Sequence, residues 1–229
     1  MRTGEKTKSV YILLTRTDTI MSRIIAAVTG KPYTHASLGL DFALTRLYSF
    51  GRLYAYFPFI GCFKREETTS GVYARFRRSP CALFELKVTE YSYDAICTRV
   101  FELERHASKY KYNFIGLFAN YFGFPIRRDR HYFCSEFVAD TLVRGDALRI
   151  SRDPSLVRPS DFLEMVELRP LFIGTIETLD SFIAQSVSAV CPRVYKPYHI
   201  KLKEQFAGAF FGILAKLKTA LSLGRKAAQ

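Results

Sequence analysis

Five cysteines (Cys62, Cys81, Cys97, Cys134 and Cys191) and four histidines (His35, His106, His131 and His199) are the residues of this 229-residue chain best suited to covalent or proton-transfer chemistry. Cys134 is set apart by its flanks. In "HYFCSEFVADTL" (131–142) it stands where an aromatic segment passes into a helix-like run. The unpaired N–H groups and the dipole at a helix N-terminus lower a thiol pKa, and the same N–H groups can hold an oxyanion. A thiolate also needs a base. His35 stands in "YTHASLGLD" (33–41), whose alternation predicts a strand with His35, Ser37 and Gly39 on one face and Ala36, Leu38 and Leu40 on the other. A thiol with an imidazole is the pair that nucleophilic acyl transfer requires. Each residue alone has a plainer reading, the cysteine as apolar filler and the histidine as a structural hydrogen-bonder. His131, three residues before Cys134, falls in the loop ahead of the helix and is the poorer partner. His106 falls at the polar end of a helix, and nothing points to His199. No CxxC pair occurs, so neither a zinc site of the usual spacing nor any other cofactor is expected.

The elements that must position the pair follow from hydrophobic period and punctuation. "SVYILLTR" (9–16), "RLYSFGR" (46–52), "VYARFRR" (72–78), "ALFELKVT" (82–89) and "LFIGTIE" (171–177) read as further strands. Helices are expected at 17–30, ended by Gly30; at 90–110, with Tyr93, Ile96, Val100 and Leu103 on one face; from 112 to 122; from Cys134 to near Gly145; and, short, from a capping Ser160. Residues 53–70, with Pro58 and the polar "KREETTSG", read as irregular. Strands outnumber helices and alternate with them irregularly, which favours α+β with an antiparallel sheet over a doubly wound parallel one.

Hydrophobic residues make up 48% of the chain, so it can bury a real core, and Lys plus Arg number 34 against 21 acidic residues, a net charge of +13. That balance favours an anionic partner. The last segment, 201–229, carries six Lys or Arg and one Glu, with Phe206, Phe210, Ile213, Leu214, Leu217 and Leu221 at helical spacings. It reads as a basic amphipathic helix, suited either to packing on the domain or to an anionic membrane surface. Nucleic acid is not expected, since no nucleic-acid module is visible. No signal peptide or spanning stretch is read, so the expected place is the cytoplasm, with peripheral membrane attachment through the tail. The expected organisation is a domain over 1–200 followed by the helix at 201–229. Nothing indicates an oligomeric state.

The ordered set "YTHASLGLD", "YSFGR", "YNFIGL" and "YFCSEFVADTL" resembles the circularly permuted branch of the NlpC-type, papain-like cysteine hydrolases, the branch that includes proteins similar to lecithin:retinol acyltransferase. The resemblance covers about residues 9 to 165. It implies a papain-like α+β fold, a central antiparallel sheet against helices, with the His strand before the Cys helix. By position, Cys134 would be the nucleophile and His35 the general base. The family's third member orients the His from the next strand, where Ser49 is the polar residue; Glu66 or Glu67 are the alternatives. The activity implied is amide hydrolysis through an acyl-enzyme, first on peptides of the cell-wall type. A lipid thioesterase or acyltransferase at a membrane surface, and a non-catalytic membrane-surface adaptor on the same fold, are the alternative readings.

Overall fold

The computed structural model describes residues 6–17, 22, 30–52 and 61–190. The chain divides into two units, 1–190 and 191–229, and every described residue belongs to the first. The predicted helix at 17–30, apart from Thr17, Ser22 and Gly30, and the predicted tail helix at 201–229 lie outside the described residues.

The longest apolar, β-branched run of the N-terminal half becomes β1 (Thr7–Thr15). From Val10 onward this strand is buried on both faces, because it runs through the middle of a sheet that is covered on each side. Its partners are β2 (His35–Gly39) and β5 (Pro80–Thr89), both antiparallel. With β3 (Leu47–Arg52), β4 (Gly61–Glu66) and β8 (Arg169–Thr175), they make a six-stranded sheet in the order β4-β3-β2-β1-β5-β8. Every neighbouring pair in it is antiparallel. The fold is therefore α+β, a six-stranded antiparallel sheet packed against helices.

Strand alternation sends side chains to two apolar layers. On one face Ile12, Leu14, Ala36, Leu38, Tyr48, Phe50 and Phe84 meet α2 (Glu90–Arg105) and α4 (Cys134–Arg144). On the other, Tyr11, Leu13, Leu47, Cys81 and Leu83 meet α1 (Gly71–Arg75) and α5 (Ile176–Val190). Helix α2 starts at Thr89, whose hydroxyl accepts the Ser92 N–H at 3.0 Å. Its Ile96, Val100 and Leu103 form the buried stripe that the 3.6-residue period predicts. Two short elements, β6 (Lys111–Tyr112) and β7 (His131–Tyr132), pair in parallel beside the sheet and bracket α3 (Phe114–Tyr121).

Four expectations are corrected. The stretch 61–66, read as irregular, is β4, paired to β3 from Leu47↔Glu66 to Arg52↔Gly61. Its charged residues suit the edge of a sheet, where a strand has no partner on one side. The stretch 72–78, read as a strand, begins as the short helix α1; its one buried side chain, Tyr73, holds it to the core. Ser160 does not cap a helix. It lies inside a 3₁₀ segment, Pro159–Glu164, where the Asp161 carboxylate accepts the Arg158 N–H at 2.7 Å and the Ser160 hydroxyl donates to the Tyr33 carbonyl at 3.1 Å. Residues 178–190, for which no element was expected, belong to α5, which supplies Ile176, Leu179 and Ile183 to the second layer.

Candidate active site

Cys134 is the first residue of α4, and the helix places it by packing. All residues from Cys134 to Leu142 are buried. Phe137 touches Phe50 and Phe63 with ring centroids 5.6 and 5.4 Å apart, which fixes the first turn against β3 and β4. Glu136 completes the start of the helix by accepting the Phe133 N–H at 3.2 Å. The ladder between β2 and β3 consists only of Leu38↔Tyr48 and Gly39↔Leu47, so the beginning of β2 parts from β3. There the Ala36 N–H turns to the Cys134 sulfur, as does the Ser135 N–H at the helix start.

His35 begins β2 and lies beside that sulfur. Its Nε2 is 3.3 Å from each carboxylate oxygen of Glu66, the last residue of β4. This leaves Nδ1 as the nitrogen for the thiol. Glu66 is buried and is held from several sides. The Ser37 hydroxyl donates to its Oε2 at 2.6 Å, the Tyr73 hydroxyl donates to the same oxygen at 3.3 Å, and the Lys64 ammonium lies 3.4 Å from Oε1. Thr15 reaches the Tyr73 hydroxyl at 3.4 Å. A Cβ at Gly51 would stand 2.9 Å from the Lys64 side chain and 3.5 Å from Glu66 Oε1, so the bare glycine leaves room for that ion pair.

The electrostatics follow from this chain of contacts. Burial opposes the charge on His35, but the Glu66 carboxylate and then the Cys134 thiolate outweigh it and raise the imidazole to about 10. Burial opposes the Cys134 thiolate as well. The His35 charge and hydrogen bond, with the Ala36 and Ser135 N–H groups, win and lower the thiol pKa. Burial of Glu66 is likewise outweighed by His35, Lys64 and Ser37, and its carboxyl is held well below the ordinary range. At neutral pH the imidazole is therefore charged and the carboxylate ionised, and the imidazolium that the carboxylate holds favours the thiolate form of Cys134. The other described cysteines contrast with this: burial pushes Cys81 up to about 12 and raises Cys62 and Cys97.

Of the two kinds of orienting residue open in the sequence, the structure brings Glu66 to His35 and leaves Ser49 out. Ser49 is wholly buried and its hydroxyl has no hydrogen-bond partner. The physical reason is the parting of β2 from β3, which removes the Ser37–Ser49 pairing a longer ladder would make. Glu67 is exposed beyond the end of β4. His131 is held away in β7, its Nδ1 donating to the Asp129 carbonyl at 2.6 Å. His106 is exposed at the end of α2, and His199 lies outside the described residues. Sequence reasoning missed Lys64 and Tyr73 because both stretches carry the wrong local signal. Ser37 was legible, two residues from His35 on the same strand face.

A cleft of about 70 Å³ lies beside the imidazole, lined among others by His35, Phe50, Lys64, Glu66, Tyr112 and Phe114. The Cys134 side of the pair is closed: that residue is 2% exposed, whereas the His35 side chain is 20% exposed. Access to the sulfur therefore runs along the imidazole. Among the described residues no group of three or more His, Cys, Asp or Glu could hold a metal ion, and no helix is long and apolar enough to cross a membrane. No family model, curated protein or solved structure matches the chain.

Proposed function

We propose that the chain is a cysteine hydrolase of the permuted papain-like type, acting on amide bonds through an acyl-enzyme. The observation that carries this reading is the series Cys134, His35, Glu66, with the thiol at a helix start, the imidazole between thiol and carboxylate, and the carboxylate buried and multiply hydrogen-bonded. The order of the elements, His strand first, acid strand next and Cys helix last, supports the permuted arrangement.

In this mechanism the Cys134 thiolate attacks the carbonyl carbon and the π electrons move to oxygen. The C–N bond of the tetrahedral intermediate breaks as the His35 imidazolium gives its proton to the leaving amine. Water then attacks the thioester, losing a proton to His35. The C–S bond breaks, the carboxylic acid departs, and the thiolate–imidazolium pair is restored. Glu66 keeps the imidazole oriented and charged at rest, as the carboxylate of a triad does. A peptide is the first substrate class to test, cell-wall-type peptides included. An acyl thioester or ester is the second, supported by the basic amphipathic sequence at 201–229. The adaptor reading draws its support from the enclosed sulfur.

The decisive experiment joins a reactivity assay to a turnover assay. Cys134 is expected to react with iodoacetamide at pH 7 at least about tenfold faster than free cysteine, and His35→Ala to abolish that advantage. A panel of peptide amides and acyl thioesters, compared between wild type and Cys134→Ser, then identifies the bond cleaved. Reaction at the free-cysteine rate in both proteins would sink the catalytic reading.

A further inference from the structure

One face of the domain gathers several exposed apolar residues of its described part. Ile115, Phe118 and Phe122 stand three and four residues apart on α3 and its C-terminal cap, and are 56%, 52% and 78% exposed. The loop continues the patch with Phe124, 65% exposed, and Ile126, and then turns basic in "RRDR" (127–130), all four exposed. Single exposed apolar residues need no explanation, but a contiguous group of five with a cationic rim does.

The patch is held rigidly. The Asn113 side chain accepts the Gly116 N–H at 3.0 Å, and its Nδ2 donates to the Ile126 carbonyl at 3.0 Å. The Phe124 N–H returns to the Ala119 carbonyl. Arg158 donates to the Asn120 side chain and carbonyl, each at 3.0 Å, and its guanidinium lies over the Tyr121 ring. The phenylalanines are thus displayed by a braced helix end and not by a loose loop. The same helix borders the candidate active site, since Phe114 lines the cleft beside His35. Tyr121 is also near: its phenol is pushed up to about 12, by burial and then by the Cys134 thiolate.

Charge selects the occupant. A second copy joined through this face would set one arginine rim against another. The segment 201–229 carries six cations and one acid, the same sign as the rim. An anionic bilayer matches both parts, taking the aromatic rings at the acyl boundary and the guanidinium groups at the phosphates. We propose that α3 and the 122–130 loop dock the domain on an anionic phospholipid surface, with Phe118, Phe122 and Phe124 inserted and Arg128 and Arg130 on the headgroups. The Phe114 wall of the cleft is thereby held at the interface. Docking stands whether or not Cys134 is a nucleophile.

The chain contains no tryptophan, so Phe122→Trp in the full-length protein makes a unique reporter at the centre of the patch. With vesicles containing phosphatidylglycerol, the emission of the introduced indole is expected to shift to the blue and to be quenched by acyl-chain-brominated lipid. Neither change is expected with pure phosphatidylcholine. Arg128→Glu with Arg130→Glu in the same background is expected to weaken binding about tenfold or more, and the same pair in the otherwise wild-type chain to reduce vesicle flotation alike. Flotation without any change in the indole emission would assign binding to another segment and overturn the proposal. A concentration-dependent blue shift without vesicles, marking a second copy on the patch, would overturn it too, as would equal binding to both lipid compositions.

Discussion

His35 Nε2 stands 3.3 Å from both carboxylate oxygens of Glu66, and that carboxylate is fixed in turn by Ser37, Tyr73 and Lys64. The imidazole therefore carries its proton far above its ordinary range, to about 10, and the Cys134 thiol is lowered with it. The alkylation rate of Cys134 is accordingly expected to rise at lower pH than that of an ordinary thiol. Glu66→Gln removes the charge and keeps the shape, so the imidazole pKa falls and the thiol pKa rises. The rate at pH 6 is expected to drop about tenfold or more and the inflection to move to alkaline pH. An unchanged profile in Glu66→Gln would show that the carboxylate does not govern the pair.

Ser49→Ala provides the matching control. Its hydroxyl is buried without a partner, so removing it leaves no orphaned group and relieves one. Stability is expected to be unchanged or to rise by about 1 kcal/mol, with the alkylation profile identical to wild type. A slowed alkylation would restore Ser49 to the site.

The supports of Glu66 should be separable by strength. Ser37 makes the short, charge-assisted bond of 2.6 Å, and Tyr73 the longer one of 3.3 Å. Ser37→Ala is expected to destabilise the domain by about 2 kcal/mol and Tyr73→Phe by about 1 kcal/mol in denaturant unfolding. The reverse order would mean that the phenol, and not the serine, holds the carboxylate.

Glu136 gives the domain a stability that depends on pH. Burial raises its carboxyl from 4.5 to about 7, against the bonds from Phe133 and Asn113. The folded state thus binds this proton more tightly than the unfolded one. The contribution is fully present below about pH 4.5 and is lost as pH rises through about 7. Glu136→Gln cannot ionise, so its stability relative to wild type is expected to improve between pH 5 and 8, by on the order of 3 kcal/mol at most. Thermal melts of both proteins across that range check it; a difference independent of pH would mean that Glu136 does not titrate there.

His35 titrates with the same sign in a higher window. Its folded pKa lies above the unfolded value of about 6.5, so its contribution is complete below that pH and fades as pH rises through about 10. His35→Gln is therefore expected to differ most from wild type below pH 6.5 and least near pH 11, in the same melts.

Much of this arrangement is legible in the sequence. The alternation in "THASLGLD" places His35 and Ser37 on one face of a strand, and the run from Cys134 to Gly145 marks its helix, although both elements lie deep enough to be buried on both sides. The third residue was harder. Glu66 lies in a polar edge strand whose composition imitates a loop, and Ser49 lies in a strand with a clear period. A local reading therefore prefers the serine. What decides between them is where β2 parts from β3, a matter of sheet geometry that no neighbouring residue encodes. Tyr73 was obscured in a similar way: "VYARFRR" alternates, yet the buried tyrosine anchors a turn of helix instead.

That parting of β2 from β3 also makes Cys134 a reporter on the whole domain. The Ala36 N–H is free to meet the sulfur only when the first half of the sheet is formed, and the sulfur arrives only when the much later helix has docked on it. In the unfolded chain the thiol is an ordinary one. The lowered pKa of Cys134 therefore belongs to the folded domain alone, so its alkylation rate reads out whether the sheet and the much later helix have come together.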